Sequence, residues 1–115
     1  MSTKDDAPTR DSLLQGTLDL LVLRILALGP HHGHGIAVAI QARSGDTLLV
    51  DHGSLYPAIQ RLEQRGWISG SWGTSENNRR ARFYSLTRSG RKQLDAETAY
   101  WQRMSAAINR VVEAV

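Results

Sequence analysis

The chain of 115 residues contains no cysteine. Disulfide bonds, thiolate zinc sites and cysteine nucleophiles are therefore excluded. Long hydrophobic runs are also missing, since the longest, Leu18 to Leu28, contains Asp19 and Arg24 and is too short to span a bilayer. The first 12 residues are polar and lack the apolar segment of a signal peptide. We therefore expect one small, soluble domain in the cytoplasm, with no membrane partner.

Familiar catalytic motifs are absent as well. The sequence has no G-x-S-x-G elbow, no P-loop and no dinucleotide fingerprint. We therefore expect a protein that is not an enzyme and that needs no cofactor.

Positive charge is concentrated rather than abundant. The formal net charge is only +3, yet six of the fourteen lysines and arginines lie between Arg79 and Lys92. Such a cluster favours a polyanionic partner. The alternative is a solvated loop followed by the start of a helix.

Apolar spacing and chain breakers predict the order of the elements. Residues 1–12 form a polar arm, and Gly-Pro, glycine and turn-like segments separate the elements that follow. The predicted helices start near Leu14 or Thr17 and end at Leu28, run from Gly33 to Arg43, run from Gly53-Ser54 to Gly66, and run from Thr87 to Val115. Residues 67–72 and 81–86 form a two-stranded hairpin. Ser54 and Thr87 are the expected caps of the last two helices.

This order predicts a mainly α fold with a small β-hairpin. Three short helices followed by a hairpin are typical of a winged helix-turn-helix, whose third helix enters the DNA major groove. The predicted division is a flexible arm over 1–12, a DNA-binding domain over 13–86 and a C-terminal dimerisation helix over 87–115. The expected partner is double-stranded DNA.

The third helix has an unusual polar face. Leu55, Ala58, Ile59 and Leu62 share the apolar side. The opposite side shows Ser54, Tyr56, Pro57, Gln60, Arg61 and Gln64. Gln60 suits adenine, and Arg61 suits guanine or a phosphate. An ordinary amphipathic helix facing water is the alternative, and Tyr56 could also pack on the edge of the domain.

The tip of the hairpin is basic. Arg79, Arg80 and Arg82 follow the turn, with Asn77 and Asn78 beside them. A wing in this position touches phosphates or enters the minor groove.

The sequence resembles the PadR family of bacterial transcriptional regulators. The resemblance covers about residues 13 to 95 and rests on LLQGTLDLLVLRILALGPHHGHGIA, GSLYPAIQRLEQRGWI and NNRRARFYSLTRSGRKQL. It implies a dimeric winged-helix protein, usually a repressor, that leaves its operator on receiving a signal. It also implies a recognition-helix role for Ser54, Tyr56 and Pro57 and a wing role for Arg79, Arg80 and Arg82.

One residue departs from the family pattern. This chain has His34 in an HGHGI turn where relatives commonly have tyrosine. If relatives use that tyrosine on the DNA backbone, the contact of His34 is weaker or depends on pH.

The neighbouring histidines allow a second interpretation. His31, His32, His34 and His52, together with Asp51, could suggest a metal site. Three histidines within four residues of a glycine turn do not match helical ligand spacing. We interpret them as turn residues near the DNA backbone and expect no metal.

The last helix carries an apolar seam with a heptad spacing. Its members are Leu94, Trp101, Met104, Ile108, Val111 and Val115. The seam could pack on the first helix of the same chain or on the last helix of a second chain. A helix of some 25 residues is about 37 Å long, more than a small domain needs, so a homodimer is favoured. Trp101 is either an anchor of the dimer core or, by analogy with relatives, a wall of a pocket for a small, flat, apolar effector.

A protein-interaction module is the rival to DNA binding, because winged helices also bind proteins. Such a module has no need of the three wing arginines. A steep fall in affinity with salt is the property that separates the two functions.

Overall fold

The structure is a computed structural model that describes residues 10–114. Within them, four helices and three strands follow one another. They are α1 (Arg10–Leu26), β1 (His31–His32), α2 (Gly33–Arg43), α3 (His52–Gln64), β2 (Ile68–Thr74), β3 (Arg80–Leu86) and α4 (Arg88–Val112). This arrangement is the winged helix-turn-helix that the sequence predicted, with the long C-terminal helix in place.

α1 is the central helix of the core. Val22, Leu23, Ile25 and Leu26 are buried, and α2, α3 and α4 all pack against α1. The helix begins at Arg10, so residues 10–12 are helical and do not belong to the predicted arm. The remainder of that arm lies outside the described residues.

α2 has the predicted bounds, whereas α3 begins earlier than expected. Its cap is Asp51, whose Oδ1 accepts a hydrogen bond of 2.7 Å from the Ser54 N–H. The prediction that Ser54 caps the helix is therefore wrong. Because α3 starts at His52, Pro57 lies in the second turn, and it cannot donate a hydrogen bond to the Gly53 carbonyl.

The sheet has a third strand that the sequence did not reveal. β3 lies in the middle, with β2 on one side and the two-residue β1 on the other, and both pairings are antiparallel. His31 is opposite Tyr84, and His32 is opposite Phe83. This pairing joins the start of α2 to the hairpin.

α4 begins as predicted and then leaves the domain. The Thr87 hydroxyl accepts a hydrogen bond from the Gly90 N–H at 3.0 Å. α4 packs on α1, Leu94 is buried in the core, and the molecule reaches 53 Å along its longest axis. Neither α4 nor another helix within residues 10–114 combines the length and apolar character needed to cross a membrane.

Candidate nucleic-acid interface

α3 presents its polar face to solvent because its apolar face is buried in the core. The buried residues are Leu55, Ala58, Ile59 and Leu62. Beyond the first turn, the exposed residues are Tyr56, Pro57, Gln60 and Gln64. Their spacing places them along one side of the helix, which is the geometry a major-groove reader needs.

A groove of about 420 Å³ lies between α3, the start of α2 and the hairpin β2–β3. It brings together six of the residues predicted from the sequence to lie at the DNA interface: His34, Tyr56, Asn77, Arg79, Arg80 and Arg82. Asn78 occupies the turn with a left-handed φ of 58°, and its N–H donates to the Ser75 carbonyl at 2.9 Å. The groove therefore joins the first half of α3 to the basic tip of the hairpin.

Tyr56 is held by a close approach to Gly33. A Cβ on Gly33 would lie only 2.6 Å from the phenol oxygen and from a ring carbon of Tyr56. Only glycine leaves room for this contact at the start of α2. Part of the tyrosine ring thus packs on α2, while 44% of the residue surface stays exposed.

Aromatic side chains continue from Tyr56 along the edge of the groove. The rings of His52 and Tyr56 are 5.6 Å apart, and those of His34 and His52 are also 5.6 Å apart. The His32 and His34 rings are stacked at 6.4 Å. His34 therefore lies at the edge of the groove, next to His32 and His52.

His32 caps α2 and ties it to the tip of the wing. Its Nδ1 accepts from the Gly35 N–H at 3.0 Å, so Nε2 carries the proton of the neutral ring and faces Glu76 Oε1 at 3.3 Å. A hydrogen bond from its own backbone N–H, and then the His32 ring, lower the pKa of Glu76. His31 is 2.8 Å from the Gly29 carbonyl oxygen. Within the described residues, no group of three histidines or carboxylates could hold a metal ion.

The three wing arginines are not equivalent. Arg79 and Arg80 are exposed. The Arg82 guanidinium instead lies over Gly70 and donates a hydrogen bond to Glu63 on α3. The Glu63 carboxylate raises the pKa of Arg82. Arg82 therefore braces the wing against the reading helix, a role that the sequence did not reveal.

Arg61 is engaged by α1 rather than directed at the groove. Its Nη2 is 2.9 Å from Asp19 Oδ1, and the two side chains keep 31% and 19% of their surface exposed. Burial raises the pKa of Asp19, and the hydrogen bond from Arg61 partly offsets that effect. We therefore withdraw Arg61 from the reading face and assign it to the contact between α3 and α1.

Ser54 also lies away from the groove. It is half-buried and lines a second groove, between α1 and residues 47–50. The sequence missed Trp72, which is exposed on β2 and lines the first groove. Its strand alternates only weakly, so the side on which Trp72 lies was not readable before the pairing with β3 was known.

α4 exposes the later part of the predicted seam. Trp101, Met104, Ile108 and Val111 are all exposed apolar residues. Leu94, by contrast, is only 5% exposed and belongs to the core of its own domain. It has almost no surface left for a partner, so its assignment to a dimer interface was wrong. Val115 lies outside the described residues.

A further groove of about 450 Å³ runs between α1 and α4. Asp19 and Leu20 line it from α1, and Glu97, Trp101 and Met104 line it from α4. Trp101 therefore lies between this groove and the exposed seam.

The family comparison covers most of the fold. The model of the transcriptional regulator PadR-like family matches residues 22–96, from near the end of α1 to the early part of α4. The matched segment therefore contains the groove, the reading face of α3 and the wing.

Solved structures of transcriptional regulators share the fold, and one curated protein is similar in sequence. A transcriptional regulator from Clostridium thermocellum has a TM-score of 0.79 and 27% identity, covering 88% of this chain and 98% of that chain. A PadR family transcription regulator from Clostridium difficile has a TM-score of 0.68 and 25% identity, covering 83% and 97%. A 37.1 kDa protein in a Streptomyces fradiae transposon is 38% identical over 77% of this chain. The chain spans about a quarter (24%) of that longer protein.

Proposed function

The chain belongs to the PadR-like family of transcriptional regulators, and from this membership we propose a specific activity. The protein binds a palindromic operator in double-stranded DNA as a homodimer and represses transcription until a signal releases it. Because its proposed target is the bacterial chromosome, we place it in the cytoplasm.

The convergence of the reading helix and the basic wing on one groove carries the proposal. Tyr56 reaches the groove from α3, and Arg79 and Arg80 reach it from the wing. Gln60 and Gln64 continue the exposed face of α3 beyond it. Glutamine amides read base edges in the major groove, and arginines neutralise phosphates. Pro57 stiffens α3 between Tyr56 and Gln60. His34 and Asn78 complete the proposed contact surface.

The dimer is proposed from the exposed seam of α4. Trp101, Met104, Ile108 and Val111 form an apolar stripe at heptad spacing, which two antiparallel or parallel copies can bury against each other. A two-fold axis through this stripe relates two reading helices. The domain over 13–86 then reads DNA, and the segment over 87–115 holds the dimer together.

The groove between α1 and α4 is the proposed place for the signal. Leu20, Trp101 and Met104 offer apolar contacts to a small, flat, apolar effector. A ligand there would touch both the core helix and the dimerisation helix, so binding could alter how the two reading helices are spaced.

Fluorescence anisotropy across a salt series tests the proposal. The probes are a duplex from upstream of the protein's own gene and a scrambled duplex of the same composition. Tight binding that prefers the upstream duplex and falls steeply with salt is the expected result. Failure to bind either duplex at low salt contradicts DNA binding and favours a protein partner.

Two matched variants make the salt series sharper. Arg80→Ala should weaken binding to both duplexes and reduce the salt slope by about one, because one phosphate contact is lost. Arg43→Ala removes another exposed arginine, at the far end of α2, and should leave the slope unchanged. Equal slopes for the two variants would remove Arg80 from the phosphate contacts.

A further inference from the structure

We propose that Trp72 is a DNA-contacting residue of the wing, packing its indole ring against the sugar-phosphate backbone. This inference rests on the proposed function and adds to it a residue that neither the sequence pattern nor the family assignment supplies. The Trp72 side chain is not part of the hydrophobic core, so core packing does not explain its position.

The strand register places Trp72 on the DNA side of the hairpin. Trp72 is directly opposite Arg82, and Thr74 is opposite Arg80. Residues that are opposite in an antiparallel pair project to the same face of the sheet. That face is the one from which Arg82 reaches Glu63 on α3, so Trp72 lies on the same side of the wing as the reading helix.

The ring is exposed where a core role would require burial. Trp72 keeps 57% of its surface exposed and lines the groove together with Tyr56 and Arg79. A lone exposed apolar residue needs no explanation by itself. A tryptophan among arginines in a groove proposed for DNA does, because the arginines suit phosphates and the exposed ring beside them lies where the backbone would pass.

The surroundings of Trp72 suit a polyanion, because a guanidinium lies on its ring and its indole N–H can donate a hydrogen bond. The Arg80 guanidinium stacks on its ring, 4.7 Å from the centroid, and this stacking limits the rotamers of Arg80 before DNA arrives. No residue in the described part of the chain accepts a hydrogen bond from the indole N–H. The ring edge can therefore pack on a deoxyribose while the N–H donates to a phosphate oxygen.

Fluorine NMR of the full chain labelled with 5-fluorotryptophan tests the contact directly. The three tryptophans give three resonances, and Trp72→Phe identifies the one of interest. We expect the Trp72 resonance to shift or broaden when the upstream duplex is added, while that of half-buried Trp67 stays in place. If anisotropy shows a complex and the Trp72 resonance does not move, the proposal is wrong.

The DNA affinities of Trp72 variants distinguish a direct contact of Trp72 with DNA from a role in which Trp72 only positions Arg80. Trp72→Ala should weaken binding to upstream and scrambled duplexes alike, by about tenfold, with an unchanged salt slope because no charge is lost. Trp72→Phe should keep most of the affinity. Ser71→Ala, on the opposite face of the same strand, should bind like the wild type.

A double-mutant cycle gives the decisive comparison. An exposed cation–π pair is expected to couple the two residues by about two- to fivefold. Trp72→Ala should therefore still weaken binding in an Arg80→Ala background. If its effect vanishes there, Trp72 only positions Arg80 and the proposed contact is overturned. A wild-type protein that binds no duplex would instead refute the proposed function, which is a separate result.

Discussion

At the scale of single residues, the reading face of α3 contains both free and engaged side chains. Gln60 and Gln64 are exposed, whereas neighbouring Arg61 is bonded to Asp19. A side chain that reads DNA must be available without first breaking a contact of the fold. The structure therefore shifts the proposed base recognition from Arg61 to the glutamines.

Gln60→Ala should reduce specificity with little effect on folding. An amide paired bidentately with adenine contributes about 1–3 kcal/mol of discrimination, and this is lost only on the operator. Anisotropy with operator and scrambled duplexes measures the difference. Gln102→Ala, an exposed glutamine on α4, is the control. Equal losses on the two duplexes would show that Gln60 does not read bases.

Arg61→Ala should behave in the opposite way. Removing the charged hydrogen bond to Asp19 should lower the free energy of unfolding by about 1–2 kcal/mol at neutral pH. Discrimination between operator and scrambled DNA should change little. Thermal unfolding measures the first effect and anisotropy the second. A large loss of specificity with an unchanged melting temperature would restore Arg61 to the reading face.

The loss of folding stability in Arg61→Ala should depend on pH in a definite direction. Burial raises the pKa of Asp19, so the folded state favours the neutral carboxyl. The stability associated with a raised pKa is fully present below the unfolded pKa and is lost as pH rises through the folded pKa. Without Arg61 the larger part of the opposing effect is lost, only the charge of Arg65 still lowers the pKa of Asp19, and that pKa rises further. The deficit of Arg61→Ala should therefore be smaller near pH 4 than at pH 7.

Residue roles were predictable where chemistry alone decides them. Tyr56, Arg79 and Arg80 were predicted for the DNA interface because their residue types and positions suit DNA, and the structure places them in one groove. The roles of Arg61 and Arg82 could not be predicted. Each depends on a carboxylate distant in sequence, Asp19 or Glu63, that only the folded chain brings within reach.

At the scale of elements, helices were more predictable than strands. α2 has the bounds that Gly33 and Gly45 suggested, because its apolar spacing and breakers are local signals. β1 consists of two histidines in a glycine turn and has no periodicity to detect. Its strand character comes only from pairing with β3, which is a tertiary effect.

The two halves of α4 have different surroundings, and this explains the error at Leu94. A heptad pattern shows which residues share a face but not which partner covers them. Leu94 is covered by its own domain, while Ile108 and Val111 lie beyond it. Packing on the same chain, one of the two alternatives considered for the seam, therefore applies to Leu94, and the proposed dimer uses the exposed residues beyond it.

A charge in the second half of α4 should dissociate the proposed dimer. Ile108→Asp places a carboxylate in the seam, where burial without a cation is unfavourable, and should give a monomer mass in analytical ultracentrifugation. Trp101→Ala should shift the same equilibrium toward monomer. Ala106→Asp adds the same charge on the outer side of the helix and should stay dimeric. Identical masses for the two aspartate variants would place the interface elsewhere.

At the scale of the whole molecule, the proposed dimer sets the form of the operator. Two reading helices related by a two-fold axis engage half-sites on one face of the DNA, one helical turn apart or a multiple of it. The hairpin is braced to α3 by Arg82 and Glu63, and it is joined to α2 through β1. Each DNA-binding unit should therefore move as one body, with little freedom to adjust to a wrong spacing.

Changing the spacing between the half-sites tests this rigidity. An insertion of about 5 bp rotates one half-site to the opposite face of the duplex, whereas about 10 bp restores its direction. The shorter insertion should weaken binding at least tenfold relative to the native spacing, because only one unit can then engage. The longer one keeps the direction and adds about 34 Å of separation, so it separates a directional requirement from a distance requirement. Equal affinity for the native and 5-bp duplexes would show that each unit binds independently of its partner.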